Sequence, residues 1–139
     1  MREILFRGKK EYNGEWGFGS LHSEYGETDI NGNRNIDYRI LGMRGECDYV
    51  IPESVGQFTG LTDKNDKKIF EGDIIKDDWC KIYKVFYSLK SCSFSAECTE
   101  ALNEFETGVY RIGKTWCDTI RVIGNIHDNP ELLKGENNG

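Results

Sequence analysis

The sequence predicts a mainly β (or α+β) protein: a small, strongly bent antiparallel sheet or partly closed β-barrel with one or two short helices. Three observations predict it. Sixteen Gly against two Pro in 139 residues require many tight turns, which suits short strands better than long helices. Short runs rich in β-branched and aromatic residues recur along the chain, the best of them from Lys81 to Tyr87. The stretch from Gly60 to Lys76 reads as strand, tight polar turn and strand, with Gly72-Asp73 bending the chain back into Ile74-Ile75.

Taken in order, Glu3 to Phe6 is a short β-prone run. Asn13-Gly14 then lies between Tyr12 and Trp16, a hairpin signal, because Asn and Gly tolerate the positive φ of a type I′ turn. Trp16 and Phe18 alternate with Gly17 and Gly19, so a strand is expected whose Gly face lets something approach closely. From His22 to Asn35 the chain is polar and rich in Gly, Asp and Asn, and reads as an exposed loop. Strands are expected from Ile36 to Met43 and from Cys47 to Ile51, where Pro52 ends the second. Lys81 to Tyr87 carries apolar groups on both faces, which predicts a central strand.

Ser91 to Ala96 alternates, with Cys92, Phe94 and Ala96 on the inner face. Cys98, Ala101, Leu102 and Phe105 then fall at helical spacing and predict a short helix. Strands follow over Val109 to Ile112 and Thr119 to Ile123. Asn129-Pro130-Glu131 has the cap, first-turn Pro and first-turn acid of a helix start, with Leu132 and Leu133 to dock it. Gly135 to Gly139 should fray.

Composition bounds the partners. The net charge of -6 opposes phosphate backbones, so nucleic acid is disfavoured even with Lys64, Lys67 and Lys68 clustered in one turn. The start from Met1 to Arg7 holds no apolar run, and nothing approaches the roughly 18 apolar residues of a membrane span. Five Cys (Cys47, Cys80, Cys92, Cys98 and Cys117) are best read as reduced thiols in a cytoplasmic protein with no membrane association.

With the elements placed, the chain resembles the YopX family, small proteins encoded by phages and prophages. Three pieces carry the resemblance: Met1-Arg2-Glu3-Ile4-Leu5-Phe6-Arg7; Val50 to Asn65 running into Lys68 to Ile75; and Val122-Ile123-Gly124-Asn125-Ile126-His127-Asp128-Asn129-Pro130-Glu131-Leu132-Leu133. Asp66 stands where the family usually has Gly, which predicts a different turn type on the same fold. His127 and Asp128 stand where the family varies. The resemblance implies one YopX-like domain over residues 1–139, with an N-terminal subdomain over 1–55 and a β-barrel-like part over 56–133. It implies a phage setting and brings no activity with it.

No residue pattern adds one. Zinc sites favour close pairs such as Cys-x-x-Cys, whereas the nearest pair here is Cys92 and Cys98, so the cysteines are expected to be buried structural residues and no metal ligand is assigned. His22 and His127 lie in no nucleophile–base motif. Gly14, Gly17 and Gly19 sit in a hairpin, not in the strand-to-helix turn of a phosphate loop. Glu71, Asp73, Asp77 and Asp78 cluster after the central turn, where Asp73 is expected to accept backbone N–H bonds. Of Trp16, Phe18, Trp79, Tyr83, Tyr87 and Trp116, most must fill the core, but together they could line a pocket or a stacking platform. Trp79, between Asp78 and Cys80 in a polar turn, is expected to be partly exposed.

The expectation is therefore a non-enzymatic accessory protein that binds a host or phage protein, with no cofactor and no assigned catalytic or binding residue. Homo-oligomerisation through uncovered strand edges is a further expectation. The alternatives are a nucleic-acid-binding β-barrel, or a small-ligand binder or enzyme with an unrecognised pocket.

Overall fold

The computed structural model describes residues 2–98 and 108–134. The chain is mainly β, with antiparallel strands and one α-helical turn among the described residues. It divides into two compact units, Met1–Phe58 and Thr59–Gly139.

The N-terminal unit is a meander of β1 (Phe6–Lys9), β2 (Trp16–Thr28), β3 (Arg34–Leu41) and β4 (Cys47–Val50), followed by a 3-10 turn at Pro52–Ser54 and the start of β5 (Gly56–Thr62). Its strands lie in the order β4-β3-β2-β1-β5. The β1–β2 hairpin forms where Asn13-Gly14 predicts it, though not through a two-residue type I′ turn. Lys10 N–H bonds the Glu15 carbonyl and Gly14 N–H the Lys10 carbonyl, so the loop is four residues long, and within it Gly14 alone takes a positive φ, +74°.

Two contacts explain the glycines around this hairpin. Val50, fully buried, fills the space over Gly8, where a Cβ would stand 2.9 Å from the Val50 Cβ. At Gly19 a Cβ would stand 1.9 Å from the Leu41 carbonyl oxygen, so the close approach expected on the Gly face of β2 is real. The sheet curls until Lys10 bridges Val50, with Glu11 N–H on the Tyr49 carbonyl and Ile51 N–H on the Lys9 carbonyl. This is a single bridge, not a ladder, and no barrel closes.

The loop expected from His22 to Asn35 is corrected. Ser20 to Tyr25 pairs in register with Ile36 to Leu41, and the turn is confined to Asp29–Asn33. The Asp29 carboxylate accepts from Asn31 N–H and Asn33 N–H, both at 2.9 Å, and closes that turn. The β2 arm from His22 to Thr28 reads as loop because most of its side chains are exposed on both faces, which removes the apolar alternation that marks a half-buried strand.

In the C-terminal unit the second half of β5 pairs with β6 (Lys68–Phe70) across the 63–67 turn. Asp66 sits at φ +63°, the left-handed region where Gly is at ease. Asp66 thus carries left-handed strain that a glycine would not. Gly72, at φ +87°, makes the expected bend, and the Asp73 carboxylate accepts the Phe70 N–H at 2.7 Å.

The main sheet of this unit is open, in the order β10-β9-β8-β7-β11. Its strands are β7 (Asp73–Lys76), β8 (Ile82–Ser88), β9 (Ser93–Cys98), β10 (Val109–Arg111) and β11 (Arg121–Asn125). β8 is central, as its two apolar faces predict. The core gathers Ile69, Ile75, Tyr83, Val85, Ala96, Ile112, Cys117 and Ile120. A helical turn α1 (Lys114–Cys117), not anticipated from the sequence, delivers Cys117 to that core. Pro130 starts the closing helix as expected, but it is 3-10.

The expected helix over Thr99 to Phe105 lies outside the described residues. Cys92 is corrected: it is exposed, at φ +50°, in the turn before β9. Cys98 ends a strand and packs half-buried on the core.

Candidate functional site

The site is built on Asp77, at the end of β7. This carboxylate is buried and fully used. Its Oδ1 accepts Trp79 N–H and Lys81 N–H at 2.9 Å each, and its Oδ2 accepts the Tyr83 hydroxyl at 2.8 Å. Cys80 completes the turn at φ +65° with its N–H on the Asp77 carbonyl. The result is a stiff loop that holds Trp79 out into solvent, 74 % exposed.

Across from that loop, Tyr83 on β8 packs edge-on to Trp116 of α1 (centroids 5.1 Å, 90°) and to Tyr110 of β10 (6.0 Å, 84°). Such T-shaped pairs set the positive ring edge on a negative face. The Trp116 carbonyl accepts both the N–H and the hydroxyl of Thr119, which closes α1 beneath the indole. Between loop, strand and helix lies an open cleft of about 340 Å³, lined by Asp77, Trp79, Lys81, Tyr83, Tyr110, Arg111 and Trp116.

Its chemistry follows from what remains unused. Asp77 has both oxygens engaged, and burial, with Asp77 as hydrogen-bond partner and neighbouring charge, pushes the Tyr83 phenol far above its ordinary range. Tyr83 is therefore a neutral wall at any physiological pH. Among the described residues the cleft offers three further aromatics, Trp79, Tyr110 and Trp116, with the cationic residues Lys81 and Arg111 in its lining. That set suits an anionic group attached to an apolar or planar body. Among the described residues the lining holds no Ser, Thr, Cys or His.

Of the aromatics singled out from the sequence, Trp79, Tyr83 and Trp116 come together here. Trp16 and Phe18 instead line a smaller cleft of about 270 Å³ in the N-terminal unit. Tyr87 pairs with Phe94 at 5.2 Å. Sequence reasoning missed Lys81, Tyr110 and Arg111. The signal for the last two was weak, because a three-residue strand carries too little alternation to show which side chains meet a pocket.

The expectation of buried cysteines is corrected. Cys47, Cys80 and Cys92 are exposed, Cys98 is half-buried, and Cys117 alone is buried. Burial, with the charges of Asp118 and Asp63, pushes the Cys117 thiol up to about 11. Among the described residues no group of His, Cys, Asp and Glu could hold a metal ion. His22 lies exposed on β2, and His127 donates its N–H to the Asn125 side chain. Among the described residues no helix is long and apolar enough to cross a membrane.

The family model described as YopX protein matches residues 5–134, nearly the whole chain. The chain belongs to the YopX family. A crystal structure of protein EF1440 from Enterococcus faecalis is similar to this YopX chain, at 26 % identity and a TM-score of 0.52, over 96 % of this chain and 99 % of that one. No curated protein matches. The YopX region so matched contains every residue of the cleft from Asp77 to Trp116.

Proposed function

We propose that this YopX-family chain is a non-enzymatic binding protein that holds a protein partner in the cleft of its C-terminal unit. The partner is a host or phage protein, in keeping with the phage setting that the family resemblance implies. The observation that carries the reading is Trp79. A large apolar side chain, 74 % exposed on a loop stiffened from beneath by a buried carboxylate, has no use in the fold of its own unit. Rigid exposed Trp and adjacent Arg are the residue types that dominate binding energy at protein interfaces.

Two further features support it. Among the described residues the lining has cations and aromatic faces but no nucleophile beside a base, the arrangement a covalent hydrolytic mechanism needs. A net charge of -6 weighs against a long polyanion. Five free thiols suit a reducing compartment, so we read the cytoplasm as the place of action.

Capture of host proteins on the tagged full chain tests this, with Trp79→Ala and nuclease-treated arms beside it. The expected result is one saturable partner near one-to-one yield, indifferent to nuclease and reduced about tenfold or more by Trp79→Ala, as loss of an interface Trp predicts. Clean beads, or recovery unchanged in the variant, would remove the reading. Recovery that vanishes with nuclease would give the site to nucleic acid.

A further inference from the structure

We infer that the partner presents an extended acidic segment, which adds as a strand to β10 and lays an aromatic or large apolar side chain into the cleft. This rests on the binding role proposed above for the same cleft. Its basis is the outer edge of the sheet. Among the described residues β10 is the terminal strand, with Val109 opposite Glu97, Tyr110 opposite Ala96 and Arg111 opposite Ser95. Cys98 N–H bonds the Gly108 carbonyl and Ile112 N–H bonds the Phe94 carbonyl. Gly108, Tyr110 and Ile112 therefore turn their main chain toward β9. In an antiparallel ladder the intervening residues point the other way, so the N–H and C=O of Val109 and Arg111 face outward.

All three residues of β10 are exposed, and two of them, Tyr110 and Arg111, line the cleft. A strand laid on this edge gains main-chain hydrogen bonds, and its alternate side chains, about 7 Å apart, face the cleft side. One such position reaches the aromatic surfaces beside Tyr110, and the intervening positions, on the other side of the added strand, stand beside Arg111, which alternates with Tyr110 along β10.

Charge selects the sign of the segment. Among the described residues of the lining, Lys81 and Arg111 are the cations and Asp77 is the one carboxylate, already bound by two N–H groups and a hydroxyl. The cleft is thus a local positive site on a chain of net charge -6. A carboxylate beside Arg111 gains a charge-assisted hydrogen bond, whereas a Lys there meets like charge. An oligonucleotide is the poorer occupant, since its backbone cannot complete a strand edge.

The test titrates the full chain with the acetylated, amidated peptide Val-Glu-Phe-Glu-Val-Glu, read by tryptophan fluorescence. Three probes run beside it: the same peptide with Lys for Glu, the peptide N-methylated at alternate amides, and oligothymidylate. Saturable binding of the acidic peptide is expected. The Lys form and the N-methylated form should each bind about tenfold or more weakly, since a charged or edge hydrogen bond is worth roughly 1.4 kcal/mol, a factor of ten. Arg111→Glu, an exposed change that leaves the core intact, should reverse the preference between Glu and Lys peptides.

Absent binding, equal affinity for both charges, or indifference to N-methylation would overturn the inference, as would oligothymidylate competing at lower concentration than the peptide. The two claims separate cleanly. A Trp79-dependent protein capture with no peptide binding leaves the binding role standing and removes the acidic strand. A failed capture removes the role itself.

Discussion

Three buried aspartates, Asp63, Asp73 and Asp77, each stand at a strand boundary and accept hydrogen bonds from main-chain N–H groups. Asp63 does most. Its Oδ1 takes Asn65 N–H and Lys67 N–H, and its Oδ2 takes Val122 N–H at 2.8 Å, tying the 63–67 turn to β11. Asp63→Ala should cost about 3 kcal/mol in denaturant unfolding, because it leaves N–H groups without an acceptor in a shielded turn. Asp66→Gly should act oppositely, relieving the left-handed strain for a gain of about 1 kcal/mol in the same measurement. The role of Asp73 was legible beside Gly72. The reach of Asp63 was not, because its third partner lies 59 residues away in the chain.

Two titrating groups add a pH dependence at this scale. Tyr83 and Cys117 both have folded values raised above their unfolded ones, Cys117 from 9.0 to about 11. Folding therefore favours their protonated forms. That stability is complete below the unfolded values and lost as pH rises through the folded ones. The thermal midpoint should hold up to about pH 9 and fall beyond it, and Cys117→Ala should flatten the early part of the fall relative to its own neutral value. A midpoint unchanged to pH 11 in the parent chain would contradict this.

Among the elements, those with one buried face were readable and those with none were not. β8 announced itself through apolar groups on both faces, and the Gly72 bend through a residue type that few others can replace there. The β2 arm from His22 to Thr28 did not, since most of its residues are solvated on both sides and its pairing with β3 is held by main-chain bonds and an Arg39–Glu24 ion pair. Its register is fixed by the hairpin turn, which a hydrophobic pattern cannot reveal. The glycine of β2 gives the sharpest element-level prediction. Gly19→Ala would drive a methyl into the Leu41 carbonyl and should cost about 3 kcal/mol, at the upper end for overpacking, because backbone, not a flexible side chain, must move. Thermal unfolding of the variant checks it, and an unchanged midpoint would show that β2 and β3 lie farther apart.

At the scale of the whole molecule, one feature of the cleft was legible and its assembly was not. Trp79 stood out because an indole between Asp78 and Cys80 in a polar turn is a large apolar group with no local partner in the sequence. Tyr110, Arg111 and Trp116 join it only through the sheet order β10-β9-β8-β7, which no local pattern contains. Loss of the Asp77 carboxylate should release this assembly: Asp77→Asn, which keeps the size and gives up the charge, should weaken partner capture about tenfold while the chain stays folded by circular dichroism.

The most direct measurement replaces Trp79 with a photoreactive benzophenone amino acid and irradiates the full chain in host cells. Tyr12, 72 % exposed in the N-terminal unit, serves as the comparison position. The account predicts one dominant protein adduct from position 79 and none of that mass from position 12. Equal adducts from both positions, or none from position 79, would contradict the claim that the cleft is where this protein binds its partner.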